Sequence, residues 1–158
     1  MINTNIKDCY LITPKLFEDH RGVFSELYKT SLSGFICKQV NYSRSQSGTL
    51  RGMHEAPYAK IVTCVSGEIF DVCVDTRVDS PTYMQHFAIK LNPQSLHQLY
   101  IPANCAHGFY SYTDSLVIYL QDGEYDKNKD IAHCYKKFNI EWPTTPDFIS
   151  NKDISVCL

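Results

Sequence analysis

Apolar and polar residues alternate along this chain in short runs, and no long stretch holds a helical period. Strand-like runs span Val23–Tyr28, Ile36–Ser43, Lys60–Val65, Glu68–Asp75, Tyr83–Leu91, Leu96–Ile101, His107–Tyr112 and Ser115–Gln121. Turn signals separate them: Ser66-Gly67, Asp79-Ser80-Pro81, Asn92-Pro93, Pro102-Ala103-Asn104 and Thr113-Asp114. Many short strands at such spacing predict an all-β sandwich or barrel, and an eight-stranded jelly roll encloses an interior that can hold a small ligand. The tail after Asp126 is less patterned. It leaves room for a short helix, and Trp142-Pro143 and Thr145-Pro146 read as extended loop.

Pattern and chemistry meet in the stretch Gln39–His54, which reads as a strand, a polar turn and a second strand. Alternation places Gln39, Asn41 and Ser43 on one face; after Gly48, it places Leu50, Gly52 and His54 on one face and Arg51 and Met53 on the other. A bulge at Gly52 would bring Arg51 and His54 together. A guanidinium beside an imidazole suits an anionic substrate next to a general base. A surface hairpin with a stray histidine is the plainer alternative.

A length of 158 residues fits one domain with a sizeable core, and no repeat or linker divides it. A net charge of −2 carries no footprint of nucleic-acid binding. No apolar run is long enough to cross a bilayer, and Met1-Ile2-Asn3-Thr4-Asn5 lacks the regions of a signal peptide, so a cytoplasmic protein without a membrane partner is expected. The seven cysteines form no CxxC or CxxH pair, and several lie in apolar runs. The expectation is that all seven are free, largely buried thiols in a reducing cytosol.

Three further segments carry candidate chemistry. Phe17–Glu26 sets Arg21 in a glycine-containing turn, where its planar fork can grip phosphate or simply be solvated. His107 follows a turn and opens an apolar strand, as a site residue or a satisfied core histidine would. A metal-binding cupin wants a His-x-His pair, a downstream Glu and a later His; His54-Glu55-Ala56 supplies too few ligands, so no metal is expected. Tyr119 lies within an apolar strand and is either core or a candidate general acid, because a buried phenol needs a hydrogen-bond partner.

Together these residues resemble the dTDP-4-dehydrorhamnose 3,5-epimerase family. The pieces, in order, are Phe17…Asp19-x-Arg21-Gly22-x-Phe24-x-Glu26, Gln39-x-Asn41-x-Ser43, Leu50-Arg51-Gly52-x-His54, Gly67-Glu68-Ile69-x-Asp71-Val72 and Val74-Asp75-x-Arg77. They continue with Ser80-Pro81-Thr82, Gln98-Leu99-x-Ile101-Pro102, Ala106-His107-Gly108-Phe109 and Ser150-x-Lys152-Asp153. The resemblance implies a single cupin-like jelly-roll domain over residues 1–158, a double-stranded β-helix without metal or other cofactor, assembled as a homodimer. It implies a nucleotide-linked 4-keto sugar as substrate, whose ketone acidifies C3 and C5. A base removes a proton from one face, and an acid returns one to the other.

By motif, His54 resembles the base, Asp153 the carboxylate that orients it, Lys60 the lysine near the enolate oxygen and Tyr119 the acid. Arg51 resembles the residue that holds the diphosphate, and His107 one that contacts sugar or phosphate. Gln39 and Asn41 resemble nucleotide or sugar contacts, and Tyr125 the aromatic that stacks on the base. The segment of Phe17, Arg21 and Glu26 resembles one that reaches the neighbouring subunit's site; Lys152 and Asp130 match further binding positions.

Two segments depart from the family pattern. His54-Glu55-Ala56-Pro57-Tyr58-Ala59-Lys60 replaces a His-Tyr-Gln start and a longer loop, and Asp126–His133 replaces a Pro-Glu segment and a Trp-Asp-Pro turn. Both border the substrate, so the nucleobase, the sugar and the number of inverted centres are open. Family members acting on GDP-linked 4-keto-heptoses, members inverting only C3, and a 3,4-ketoisomerase are the neighbouring readings. A non-catalytic nucleotide-sugar-binding cupin is the reading from a different class; it would not need His54, Lys60, Tyr119 and Asp153 together.

Overall fold

The computed structural model describes residues 1–158, except for the side chains of residues 32 and 33. With strands numbered along the chain, a six-stranded sheet runs in the order β1 (Ile2–Asn3), β2 (Tyr10–Ile12), β10 (Gln98–Ile101), β7 (Lys60–Ser66), β12 (Ser115–Gln121), β5 (Gln39–Ser45). A five-stranded sheet runs β13 (Ile131–Ala132), β6 (Leu50–Glu55), β11 (Ala106–Ser111), β8 (Ile69–Val74), β9 (His86–Leu91). A separate hairpin pairs β3 (Leu16–Asp19) with β4 (Gly22–Ser25), and two short helices, α1 (Thr30–Ser33) and α2 (Asn151–Ser155), complete the chain. Strand pairing within both sheets is antiparallel. The all-β jelly-roll expectation therefore holds, and the helix expected in the tail is α2.

The core lies between the sheets. Val62, Cys64, Leu99, Ile101 and Val117 from one meet Ile69, Cys73, Leu91 and Phe109 from the other. On β8, alternation sends Ile69, Asp71 and Cys73 inward and Val72 and Val74 outward. The outward residues are buried as well, because Phe138, Tyr135, Ile140 and Trp142 of the tail cover them together with Met53 and Ala106. Each such burial stabilises by about 1.5–3 kcal/mol. The tail, poor in regular structure, is thus part of the hydrophobic core.

Several strand ends differ from the expected runs. Val23–Tyr28, Ile36–Ser43 and Tyr83–Leu91 become Gly22–Ser25, Gln39–Ser45 and His86–Leu91. At Tyr83–Gln85 the backbone is diverted by Asp75, which is fully buried and accepts hydrogen bonds from Arg77, Ser80 and Thr82, while the Met84 N–H donates to its carbonyl at 2.7 Å. Burial opposes ionisation of Asp75, but these donors, led by Arg77, win and hold its carboxyl well below the usual range.

The cysteine expectation is corrected. Cys134 and Cys157 form a disulfide, while Cys9, Cys37, Cys64, Cys73 and Cys105 are free. The bonded pair lies in the weakly patterned tail, where no periodicity announces that the fold returns residues 23 apart to one place.

The bulge expected at Gly52 is present. β6 and β11 pair His54 with His107 and Arg51 with Phe109, so β6 fits one more residue than β11 between these two pairs. Gly52 has φ +126, and a Cβ there would lie 2.6 Å from Gly108 Cα and 2.7 Å from the His107 carbonyl oxygen. Both are backbone atoms and cannot step aside, which requires glycine at this position. The extra residue turns Arg51 and His54 into the same cavity, while Met53 joins the cluster on the outer face.

Candidate active site

A cavity of about 800 Å³ opens between the two sheets. The five-stranded sheet supplies Arg51 and His54 from β6 and His107 from β11; the six-stranded sheet supplies Lys60 from β7 and Tyr119 from β12. Tyr125, Asp130, Lys152 and Asp153 close the rim. Nine residues expected from the sequence, His54, Lys60, Tyr119, Asp153, Arg51, His107, Tyr125, Lys152 and Asp130, thus share one chamber.

His54 Nε2 lies 2.6 Å from Asp153 Oδ1. A carboxylate only accepts, so the imidazole donates through Nε2 and Nδ1 is left to receive a proton. Asp153 enters the site on α2. Ser150 caps the helix by accepting the Asp153 N–H at 3.1 Å, and the Gly52 N–H approaches the second carboxylate oxygen at 3.4 Å. Asp153 is nearly fully buried. Burial alone would raise its carboxyl, yet the hydrogen bond and charge of His54 outweigh that and hold it below the usual range. It is therefore a carboxylate at neutral pH.

A second pair lies beside the first. His107 Nε2 is 2.7 Å from Asp71 Oδ1, both side chains are buried, and Asp71 Oδ2 has no hydrogen-bond partner among the described residues. Asp71 was not singled out as a site residue from the sequence. The available signal was its position, a carboxylate at an inward register between Ile69 and Cys73 of an otherwise apolar strand.

The opposite wall is cationic and phenolic. Lys60 is buried, which lowers its ammonium, while Asp130 and then other acidic neighbours pull the other way. The shortened approach to it contributes Tyr58 to the wall, whose ring centre is 5.8 Å from Lys60 Nζ. Burial, aided by Asp130, pushes the Tyr58 phenol up to about 12. Burial also raises Tyr119, against the opposing charge of Arg51, so Tyr119 holds its proton at neutral pH. Arg51 is aimed by hydrogen bonds to Ser45 Oγ (2.9 Å) and the Arg44 carbonyl (3.0 Å). Asp130 from the second departing segment pairs with Lys152 at the rim, and this hydrogen bond raises the Lys152 ammonium. Glu55, from the first departing segment, pairs instead with His133 at 2.8 Å and does not line the cavity.

Other expected residues lie elsewhere. Gln39 and Asn41 stand behind the wall in a row of amides: Gln39 Nε2 donates to Asn41 Oδ1 (2.6 Å), and Asn41 Nδ2 donates to Gln121 Oε1 (3.1 Å). Gln39 Oε1 accepts the Tyr125 N–H at 2.8 Å, so this row fixes the backbone that presents Tyr125. Phe17, Arg21 and Glu26 line a separate depression on the β3–β4 hairpin, where Arg21 is exposed and forked onto Asp19 at 2.6 Å.

A chamber with an oriented imidazole on one sheet and a protonated phenol and buried ammonium on the other can remove and deliver protons across a bound carbon acid. Comparison with known proteins agrees with that chemistry. The family model for dTDP-4-dehydrorhamnose 3,5-epimerase matches residues 3–158. The dTDP-4-dehydrorhamnose 3,5-epimerase of Shigella flexneri is 38% identical, with 98% of this chain and 93% of the relative covered. A solved 3,5-epimerase from Legionella pneumophila, in complex with dTDP-4-keto-L-rhamnose, has a TM-score of 0.92 at 34% identity, covering 98% of this chain and 89% of its own. A 3'-monoepimerase from Streptomyces bikiniensis, solved with dTDP-quinovose, has a TM-score of 0.91 at 27% identity, covering 98% of this chain and 85% of its own. The order of the motifs, the cupin-like fold and this near-complete coverage agree: the chain is an isomerase that belongs to the dTDP-4-dehydrorhamnose 3,5-epimerase family.

Proposed function

We propose that this enzyme inverts C3 and C5 of a dTDP-linked 4-keto-6-deoxy sugar, with His54 as base, Asp153 as its orienting carboxylate, Lys60 beside the enolate oxygen and Tyr119 as acid. The observation that carries the reading is the placement of His54 and Tyr119 on opposing sheets of one cavity. Inversion requires abstraction from one side and delivery from the other, and a sugar ring lying between the sheets offers one face to each. The 4-ketone supplies the acidity, so the reaction needs neither metal nor redox cofactor. A buried ammonium near the developing oxyanion contributes on the order of 3 kcal/mol. Arg51 and Lys152 suit a diphosphate, and Tyr125, 53% exposed at the rim, suits a stacked nucleobase.

The reading is tested by incubating the protein with a dTDP-linked 4-keto-6-deoxyglucose in D₂O and following C3 and C5 by NMR. Deuterium at both carbons with inverted configuration is expected. Incorporation at C3 alone would move the assignment to a monoepimerase. No incorporation at either carbon, with nucleotide binding still raising Tm, would leave a binder. GDP, UDP and CDP in the same thermal assay test the nucleobase, and dTDP is expected to give the largest rise.

The site is further proposed to be shared in a homodimer working in the cytoplasm, supplying sugar for cell-surface polysaccharide. The β3–β4 hairpin supports the dimer. It stands apart from both sheets, and its Phe17, Val23 and Phe24 are exposed beside Arg21, a combination suited to reaching a second copy. Mass in solution by light scattering checks this, with twice the chain mass expected. Five of the seven cysteines are free, as a reducing cytoplasm favours, and the Cys134–Cys157 bridge is the exception that such a setting keeps reducible.

A further inference from the structure

The segment that carries Asp153 is lightly anchored. α2 has five residues, against the ~12–15 that an isolated helix needs to persist in water. Its one buried residue is Asp153; Ile154 and Val156 are 44% and 41% exposed, and Leu158 is fully exposed. Apolar burial therefore does little to hold the helix. Upstream the tie is backbone: Phe148 bridges to Thr49, and its carbonyl accepts the Leu50 N–H at 2.9 Å. Downstream the tie is covalent, through the Cys134–Cys157 disulfide.

Cys134 lies two residues beyond the strand beside the base. β13 pairs Ala132 with His54, and His133 and Met53 exchange backbone hydrogen bonds of 2.8 and 3.4 Å. A closed ring results. It runs from His54 across β13 to Cys134, through the two sulfurs to Cys157, back along α2 to Asp153, and through the carboxylate to His54. Both cysteines are half-buried, and Cys157 lines a second groove of about 410 Å³ that gives a small thiol access. The other five cysteines are already thiols, so among the described residues this is the one bond a reductant can open.

We propose that the Cys134–Cys157 disulfide is a positioning device for the His54–Asp153 pair, and that a dithiol switches the enzyme to a slow form by opening it. The proposal rests on the reading of His54 as base. One thiolate of the dithiol attacks a sulfur of the bridge, forming a mixed disulfide and releasing the other cysteine as a thiol. The second thiol of the dithiol then closes on its own mixed disulfide. Two electrons and two protons have passed to Cys134 and Cys157, and the dithiol leaves oxidised to a cyclic disulfide. A small-molecule disulfide reverses the exchange.

The experiment compares the untreated protein, the protein reduced with dithiothreitol, and the Cys134→Ser/Cys157→Ser double variant. Thiols are counted in denaturant, kcat and KM are measured on the 4-keto sugar, and the His54 imidazole is titrated by NMR, assigned by its absence from His54→Ala. Five thiols are expected before reduction and seven after. Reduction and the double variant should each lower kcat by about 10–10²-fold, the usual effect of a small displacement in a site, with KM within about twofold. The His54 titration should shift in both, and reoxidation should restore the wild type but not the variant. Seven thiols in the untreated protein would overturn the proposal, as would kcat and a His54 titration unchanged by complete reduction. A shifted titration in a protein that turns over no 4-keto sugar in either state would support the clamp and sink the epimerase reading.

Discussion

His54→Ala is expected to lower hydrogen exchange at C3 of the 4-keto sugar by about 10²–10⁴-fold, the usual contribution of a positioned base. The remaining groups cannot replace it. Tyr119 holds its proton at neutral pH, and Lys60 stands with it on the opposite wall. Asp153→Asn should cost about 10²-fold or more in the same assay, because an amide neither balances the imidazolium charge nor selects the tautomer that leaves Nδ1 basic. It should also alter stability with a definite sign. The folded carboxyl of Asp153 lies below its unfolded value of about 3.9, so it contributes stability at neutral pH that is lost as pH falls through the folded pKa. The Tm gap between wild type and Asp153→Asn should therefore be widest near pH 7 and narrow below about pH 4. A gap that stays constant from pH 7 to pH 3 would show that the carboxylate is not stabilised by His54.

Tyr119→Phe should separate proton removal from inversion. The variant keeps the His54–Asp153 pair and Lys60, so the enolate still forms and His54 can return the proton to the face it came from. Deuterium should enter C3 with retained configuration, while inverted product falls by about 10²-fold or more. Inversion at the wild-type rate in Tyr119→Phe would remove Tyr119 from the role of acid and turn attention to Tyr125 at the rim of the same cavity.

What could be read from the sequence follows from what has a period. β6, β7, β8, β11 and β12 are long enough to show alternation, and they carry His54, Lys60, Asp71, His107 and Tyr119. The glycine in β6 announced its bulge, and with it the meeting of Arg51 and His54. β1, β2 and β13 have two or three residues each and no readable pattern, so one edge of each sheet was not anticipated. Asp153 lies on a helix of one turn, legible only from the order of motifs shared with the family and not from amphipathicity. Gln39 and Asn41 share a face of their strand with Ser43, which lines the cavity, but a face of a strand does not say how far along it the cavity wall extends. Asn41 donates to the amide of Gln121, and it is Gln121 that lines the cavity. Cys134 and Cys157 carry no local signal at all, because what joins them is the return of the tail across β6.

That same return decides when the site comes into being. His54 and Asp153 are 99 residues apart along the chain, whereas His107 and Asp71 are 36 apart on neighbouring strands. Closing the longer loop costs about 1 kcal/mol more entropy, which must be met before the contact repays it. Contacts of such high sequence separation form late in folding. The barrel and its second histidine pair can therefore exist while the base still turns freely, and competence arrives only when the tail has docked. During refolding, signals from the sheets should lead and turnover should follow.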